Sequence, residues 1–202
     1  MYPNPRKTTT IRRLGFVDVA ALKAAVLAIP ETVWQAENAG KPNRFEALDA
    51  TAHIVFRFVS DVRDWRTSFA RPIWSDWESK IMPVLDAATK GYGYTNGLFP
   101  RIMLARMPAG GVIQPHRDAN PAAKWPHKIH IPIQTNADVL FRIGNETHHI
   151  AEGEAAEVNN MGIHAVVNRG AESRIHLIFE YYDADQAEPD WIGEKGSSNS
   201  YC

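Results

Sequence analysis

The second half of the chain, from Pro100 onward, consists of short segments in which apolar and polar residues alternate. A period of two is the pattern of a β-strand with one buried face, and the Gly, Pro, Asn and Asp residues between the segments favour turns. The pattern predicts eight strands: Arg101–Met107, Val112–His116, Lys128–Gln134, Val139–Ile143, Thr147–Ile150, Ala155–Val158, His164–Asn168 and Arg174–Tyr182. Short strands at this density are typical of an all-β sandwich or barrel. We therefore predict a mainly β fold, a jelly roll.

The first half of the chain is more helical. Apolar residues at helical spacing predict helices over Val17–Ile29 and Ile73–Ala88. Between them, His53–Val59 alternates and is predicted to be a strand, with Phe56 and Phe58 on the same face. We expect these N-terminal helices to pack outside the β-rich part.

The predicted organisation is one domain over residues 1–192, with a helix-and-strand part at 1–98 and a jelly-roll core at 99–183. Residues 193–202 are polar and rich in Ser and Gly, and are predicted to be a mobile tail. The oligomeric state is left open.

Composition narrows the function classes. The 202 residues carry a net charge of −1 without a long basic run, which argues against nucleic acid as a partner. Cys202 is the only cysteine, so an intramolecular disulfide or a cysteine zinc cluster is excluded, and a reducing cytoplasmic location is expected. We predict neither a secretory signal nor a membrane span.

The motif His116-Arg117-Asp118, followed much later by His164, is the strongest functional signal. Residues two apart on a strand point to the same face, and His116 and Asp118 come where a predicted strand gives way to a loop. Two imidazoles and a carboxylate form the ligand set that holds ferrous iron and leaves positions open. The same set also suits zinc. We predict His116, Asp118 and His164 as metal ligands and catalytic residues.

Arg174 begins the last predicted strand, and alternation places it on one face with His176. A buried guanidinium is costly unless it is paired. One interpretation is a clamp for the carboxylate of an anionic cosubstrate. The alternative is an ion pair with a protein carboxylate such as Glu157.

Lys128 and His130 share a face of another predicted strand, opposite a row of isoleucines. Two such residues facing a barrel interior indicate anion recognition, and we predict both as cosubstrate-binding residues. The alternative is that this face is solvated and Lys128 only keeps the sheet soluble.

These segments together resemble the aspartyl/asparaginyl β-hydroxylase family. The resemblance covers about residues 100–182 and keeps the family's order. It rests on the following segments: Met103–Gly111, Gln114–Asp118, Lys128–His130, His164–Asn168 and Arg174–Phe179.

The resemblance implies a double-stranded β-helix, the cupin-like jelly roll, that uses ferrous iron, 2-oxoglutarate and dioxygen. It also implies that His116 and His164 bind iron, that Arg174 binds the distal carboxylate of 2-oxoglutarate and that His130 contacts the cosubstrate. The animal members lack an acid at the position of Asp118, whereas many members have an arginine where this chain has Lys128. Ala105 stands where some members have a serine near the distal carboxylate.

The predicted function is hydroxylation of a C–H bond in a free amino acid, an amino-acid derivative or a peptide, coupled to decarboxylation of 2-oxoglutarate. Asn120 and Trp125, in the loop after the metal motif, are the candidate substrate-binding residues, since loops beside a rigid site often carry specificity. A structural or solvent-exposed role is the alternative for both. Two other functions stay open: a non-catalytic metal- or sugar-binding cupin module, and a zinc-dependent hydrolase or isomerase.

Overall fold

The computed structural model of the protein describes residues 7–42, 48–118 and 120–185. The strands are β1 (Ile11–Phe16), β2 (Ala52–Asp61), β3 (Asp64–Ala70), β4 (Gly97–Leu98), β5 (Ile102–Met107), β6 (Val112–His116), β7 (His127–Gln134), β8 (Val139–Ile143), β9 (Glu146–His148), β10 (Glu154–Val158), β11 (His164–Asn168) and β12 (Arg174–Asp183). The helices are α1 (Ala20–Leu27), α2 (Glu31–Ala39) and α3 (Trp74–Thr89). The predicted tail, residues 193–202, lies outside the described residues.

Two antiparallel sheets form the jelly roll, which confirms the predicted fold class. The larger sheet has the order β1-β10-β7-β12-β5-β2-β3, with β4 paired to the end of β12. The smaller sheet has the order β6-β11-β8-β9. All eight strands predicted after Pro100 are present, three of them with the predicted bounds. Strands from residues 1–98 and from residues 99–183 share the larger sheet.

The three helices pack outside the larger sheet, as predicted. Leu22 and Val26 of α1, Trp34 of α2 and Leu85 of α3 are buried in one apolar cluster with outward-facing sheet residues such as Leu177. A second cluster fills the space between the two sheets, where Phe141, Ile143 and Val166 are buried. The helices therefore cover the outer face of the larger sheet, which leaves the space between the two sheets for a functional site.

Strand β2 differs from the prediction at its centre. Val55 pairs with Met103 but Arg57 pairs with Ile102, so a β-bulge places an extra residue in β2. The bulge reverses the alternation: Phe56 stays in the helix-covered cluster, whereas Phe58 joins the inner face. The prediction that both phenylalanines share a face was wrong, because sequence alternation does not show a bulge.

The N-terminal helix is shorter than predicted, and four elements were missed: α2, β1, β3 and the two-residue β4. The described α1 ends at Leu27, and Pro30 precedes a second helix, α2. Strands β1 and β3 lie at the two edges of the larger sheet, and their exposure patterns are irregular. Such edge strands lack the strict alternation on which the prediction depended. In the part of the chain that the structure describes, no helix combines the length and apolarity needed to cross a membrane.

Candidate metal and cosubstrate site

The predicted metal ligands come together at one end of the smaller sheet. His116 ends β6 and His164 begins β11, and the two residues are direct partners in the antiparallel pair. Their ring centres lie 4.2 Å apart. Asp118 follows two residues after His116, and one ligand atom from each of the three residues lies within 4.8 Å of the others. A single cation can therefore contact all three side chains.

Backbone carbonyls set the orientation of both imidazoles. Nδ1–H of His116 donates to the carbonyl oxygen of Gln114 at 2.8 Å, and Nδ1–H of His164 donates to that of Gly162 at 3.0 Å. These bonds favour the tautomer whose lone pair is on Nε2, the usual arrangement for a histidine that binds a metal. Burial also lowers the pKa of His164, which keeps this ring neutral at physiological pH.

Asp118 is held from both sides. Its backbone N–H donates to the carbonyl oxygen of Asn160 at 2.9 Å, and its carboxylate accepts a hydrogen bond from Nζ of Lys128. Burial raises the pKa of Asp118, but the charge and the hydrogen bond of Lys128 outweigh burial, and the pKa falls to about 2. The carboxylate is therefore ionised at neutral pH and able to bind a cation. The side chain of Lys128, a predicted cosubstrate-binding residue, faces the interior and donates to Asp118, a predicted metal ligand.

Arg174 lies deep inside the roll with 1% of its surface exposed. Its Nε and Nη1 are buried and have no hydrogen-bond partner among the described residues. The guanidinium carbon is 5.5 Å from the centre of the Phe141 ring. Burial lowers the pKa of Arg174 to about 9, which leaves the side chain cationic at neutral pH. A buried cation in this state calls for an anionic ligand.

The alternative partner of Arg174, Glu157, is engaged elsewhere. Its carboxylate accepts hydrogen bonds from Tyr92 and His127, both at 2.9 Å, and pairs with Arg12 at 3.1 Å. The structure therefore overturns the interpretation that Arg174 and Glu157 form an ion pair.

Two further imidazoles lie on the same inner face. His176 is fully buried, and neither of its ring nitrogens has a hydrogen-bond partner among the described residues. Nδ1 of buried His130 is in the same state, and the two rings are 5.7 Å apart at their centres. Burial lowers the pKa of both histidines, so both are neutral. Buried polar atoms without a hydrogen-bond partner lower the stability of the folded protein. Together with Arg174, these ring nitrogens fit a carboxylate ligand. Sequence analysis gave His176 no role, although its inward alternation with Arg174 was a usable signal.

A cavity of about 400 Å³ has the metal ligand Asp118 in its lining. Its lining residues are Pro42, Leu48, Phe58, Val62, Arg101, Met103, Arg117, Asp118, Asn120, Ala123, Lys128, Ile178, Phe179 and Glu180. Of the predicted substrate residues, Asn120 lines the cavity, whereas Trp125 packs against the apolar cluster that includes Val55 and Ala122.

The sequence analysis missed the buried ion pair in this cavity. Nη1 of Arg101 donates to Oε1 of Glu180 at 2.7 Å, and its Nη2 donates to Oδ1 of Asn120 at 3.2 Å. Glu180 continues the inward series Arg174, His176, Ile178, so the alternation of β12 could have pointed to it. Arg101 carried no comparable signal, because its partners come from distant parts of the chain.

The jelly roll, the two-histidine and one-carboxylate cluster and the unpaired buried arginine define the class of non-haem iron oxygenases that take a carboxylate cosubstrate. The sequence matches the family model described as aspartyl/asparaginyl beta-hydroxylase over residues 59–184, more than half of the chain. The protein belongs to this family. It is accordingly a hydroxylase that uses Fe(II), 2-oxoglutarate and dioxygen.

Solved structures share the fold at low identity. An oxidoreductase of the 2OG-Fe(II) oxygenase family from Burkholderia pseudomallei superposes with a TM-score of 0.54 at 15% identity, over 80% of this chain and 78% of that chain. AviO1 from Streptomyces viridochromogenes Tue57 gives 0.52 at 11% identity, over 89% and 92%. The non-heme monooxygenase ThoJ, in its nickel complex, gives 0.53 at 16%, over 89% and 76%. No curated protein sequence matches the chain.

Proposed function

We propose that the protein hydroxylates a C–H bond of an amino acid, an amino-acid derivative or a short peptide. In this proposal His116, Asp118 and His164 hold the iron, and Arg174 binds the distal carboxylate of 2-oxoglutarate. The observation that carries the proposal is a three-ligand cluster together with a buried arginine that pairs with no acid among the described residues. Family membership favours the oxygenase over the cupin module and the zinc hydrolase.

The residues around Arg174 fit the cosubstrate. Arg174 lies four residues from Ile178 along β12, about 13 Å of strand, and Ile178 pairs with His130 on β7. His176 lies between them on the same face. The arginine side chain and a five-carbon dicarboxylate are together long enough to cover this distance. Arg174 would hold the far carboxylate of 2-oxoglutarate when the cosubstrate is bound. The orphaned nitrogens of His176 and His130 line the path.

When bound, iron and 2-oxoglutarate supply the oxidative chemistry, in which decarboxylation to succinate is coupled to hydroxylation. The protein positions the reactants and excludes water. Lys128 keeps the carboxylate of Asp118 ionised and oriented. The carbonyls of Gln114 and Gly162 hold the imidazole rings, and the buried ring of Phe141 closes the space beside Arg174.

The test begins with anaerobic addition of ferrous iron and 2-oxoglutarate to the purified protein. We expect a visible metal-to-cosubstrate charge-transfer band, which His164→Ala abolishes and His148→Ala, a change on β9, preserves. With oxygen, we expect succinate in step with a hydroxylated product from a panel of free amino acids, N-acylated amino acids and short peptides. A folded, iron-loaded protein that gives no band with 2-oxoglutarate would refute the proposal.

A further inference from the structure

The ion pair in the cavity beside Asp118 is incompletely satisfied. The side chains of Arg101 and Glu180 are 6% and 5% exposed, so the pair is almost entirely removed from water. One contact joins them, Nη1 of Arg101 to Oε1 of Glu180. Oε2 of Glu180 and Nε of Arg101 are both buried without a hydrogen-bond partner among the described residues. A carboxylate oxygen and an N–H group left in this state each cost free energy that a ligand can recover.

The neighbouring cations do not satisfy Glu180. Lys7 interacts electrostatically with Glu180, but its Nζ donates to the carbonyl oxygen of Ala123 and to Oδ1 of Asn160. Lys128 pairs with Glu180 across β7 and β12, but its Nζ donates to Asp118. Arg101 gives its second contact to Asn120. Of the two acids among the described residues that line the cavity, Asp118 is committed to the metal cluster, and Glu180 retains one open oxygen.

The remainder of the cavity is apolar, with one exposed cation at its edge. Phe58, Val62, Met103 and Ile178 line the walls, and the exposed side chain of Arg117 also contributes to the lining. Asp118, one of the three metal ligands, also lines the cavity, so a molecule bound there lies beside the metal cluster. Its volume of about 400 Å³ falls within the range of roughly 300–1,000 Å³ typical of small-molecule sites.

We propose that this cavity binds a free α-amino acid with an uncharged side chain, whose ammonium group pairs with Glu180 and whose carboxylate pairs with Arg117. The proposal rests on the hydroxylase function above and narrows its substrate class. An ammonium group provides charge-assisted hydrogen bonds for the open carboxylate oxygen. The apolar walls then receive the side chain and present it to the metal site. N-acylation removes the ammonium charge and adds bulk at the same point, so acylated amino acids and internal peptide residues are disfavoured.

The experiment uses the anaerobic complex of the full chain with ferrous iron and 2-oxoglutarate, and follows its charge-transfer band during titration with amino acids. The probes are the twenty common L-amino acids and, for those that perturb the band, their N-acetyl and carboxamide forms. We expect at least one free amino acid with an uncharged side chain to shift the band, and its N-acetyl form to bind at least tenfold more weakly. Oxygen should then give succinate and hydroxylated amino acid in equal amounts.

Variants separate the two ends of the ligand. Glu180→Gln should weaken amino-acid binding at least tenfold, and Arg117→Ala should weaken binding of the free acid but not of its carboxamide. Both should leave the affinity for 2-oxoglutarate unchanged, which also shows that the variants are folded. Glu172→Gln and Arg169→Ala make the same changes at exposed positions and should have no effect.

Three results would overturn the proposal while leaving the hydroxylase function intact: N-acetyl forms that bind as tightly as their parents, Glu180→Gln with normal amino-acid affinity, or a normal 2-oxoglutarate band that no free amino acid perturbs. Absence of the 2-oxoglutarate band itself would refute the function instead.

Discussion

Two buried arginines, Arg101 just before β5 and Arg174 at the start of β12, differ in their pairing. Arg101 donates to Glu180 and to Asn120, and its guanidinium carbon lies 5.1 Å from the centre of the Phe58 ring. Arg174 also lies near a phenylalanine, but no acid among the described residues pairs with it, and its Nε and Nη1 have no acceptor. The fold supplies the counter-ion for one arginine and leaves the other for a ligand.

The difference shows why burial alone does not identify a functional arginine. A buried guanidinium with a protein carboxylate is a structural element, although its open atoms can still serve a ligand. A buried guanidinium without one is stable only if something else carries the negative charge. The surroundings of Arg174 also offer free hydrogen-bonding groups, because ring nitrogens of His176 and His130 have no partner among the described residues.

The largest expected effect is at Arg174. Removing one partner of a buried charge pair costs on the order of 3–5 kcal/mol, so Arg174→Ala should weaken 2-oxoglutarate binding by roughly a hundredfold to several thousandfold. Iron binding should be unchanged, because no metal ligand contacts this side chain. Titration of the anaerobic charge-transfer band measures both, with Arg169→Ala as the exposed control. Unchanged affinity for 2-oxoglutarate would show that Arg174 does not bind the cosubstrate.

Arg101→Ala should show the opposite profile. Loss of this side chain leaves Glu180 as an uncompensated buried charge, so the free energy of unfolding should fall by about 3–5 kcal/mol. The affinity for 2-oxoglutarate should stay close to that of the parent. Urea denaturation of the metal-free protein measures the first and the charge-transfer titration the second. A normal unfolding midpoint would show that Arg101 is not a stabilising partner.

The Lys128–Asp118 pair extends the comparison to a cation that is only partly buried. The pKa of Asp118 falls from 3.8 to about 2 in the folded protein. A depressed carboxyl pKa contributes stability above pH 4, which is lost as the pH falls towards 2. At about 1.4 kcal/mol per pKa unit, the contribution is roughly 2 kcal/mol.

The iron-free Asp118→Asn protein should therefore be less stable than the parent at neutral pH, and this difference should shrink by roughly 2 kcal/mol by pH 2. Urea denaturation of both proteins across this pH range measures the effect. A difference that is constant with pH would mean that Lys128 does not stabilise the ionised carboxylate.

The smallest expected effect is at His176. His176→Leu removes a hydrogen-bonding group from the cosubstrate path and should weaken 2-oxoglutarate binding about tenfold, the value of roughly one charge-assisted hydrogen bond. The same change removes two buried ring nitrogens that have no hydrogen-bond partner among the described residues, so the melting temperature of the ligand-free protein should rise. Both changes can be followed by the charge-transfer titration and by thermal unfolding.

A second substitution sharpens the test. Ala105 is the direct cross-strand partner of His176 on β5, so Ala105→Ser places a hydroxyl beside the same space. In the His176→Leu background it should restore part of the lost affinity. A His176→Leu variant with normal affinity and lowered stability would instead assign His176 to packing alone.

Much of this molecule could be predicted from local sequence patterns. The strand period gave the positions of the eight core strands, because a strand buried on one face imposes alternation on consecutive residues. The same period placed His116 with Asp118 and Arg174 with His176. The residue types then indicated a metal site and an anion site before any spatial relation was known.

Other features depend on register and on contacts between distant segments, which alternation does not encode. The β2 bulge decided that Phe58 faces the cavity, and edge positions explain why β1 and β3 were missed. Only the tertiary structure showed that Glu157 is bound by Tyr92 and His127 and is therefore not the partner of Arg174.

The sequence by itself determined which chemistry the chain carries, because ligand types and strand periodicity are local properties. The tertiary structure decided which charges are compensated. Among the described residues it gave Arg101 an acid and Arg174 none, because pairing depends on which strands become neighbours in the sheet.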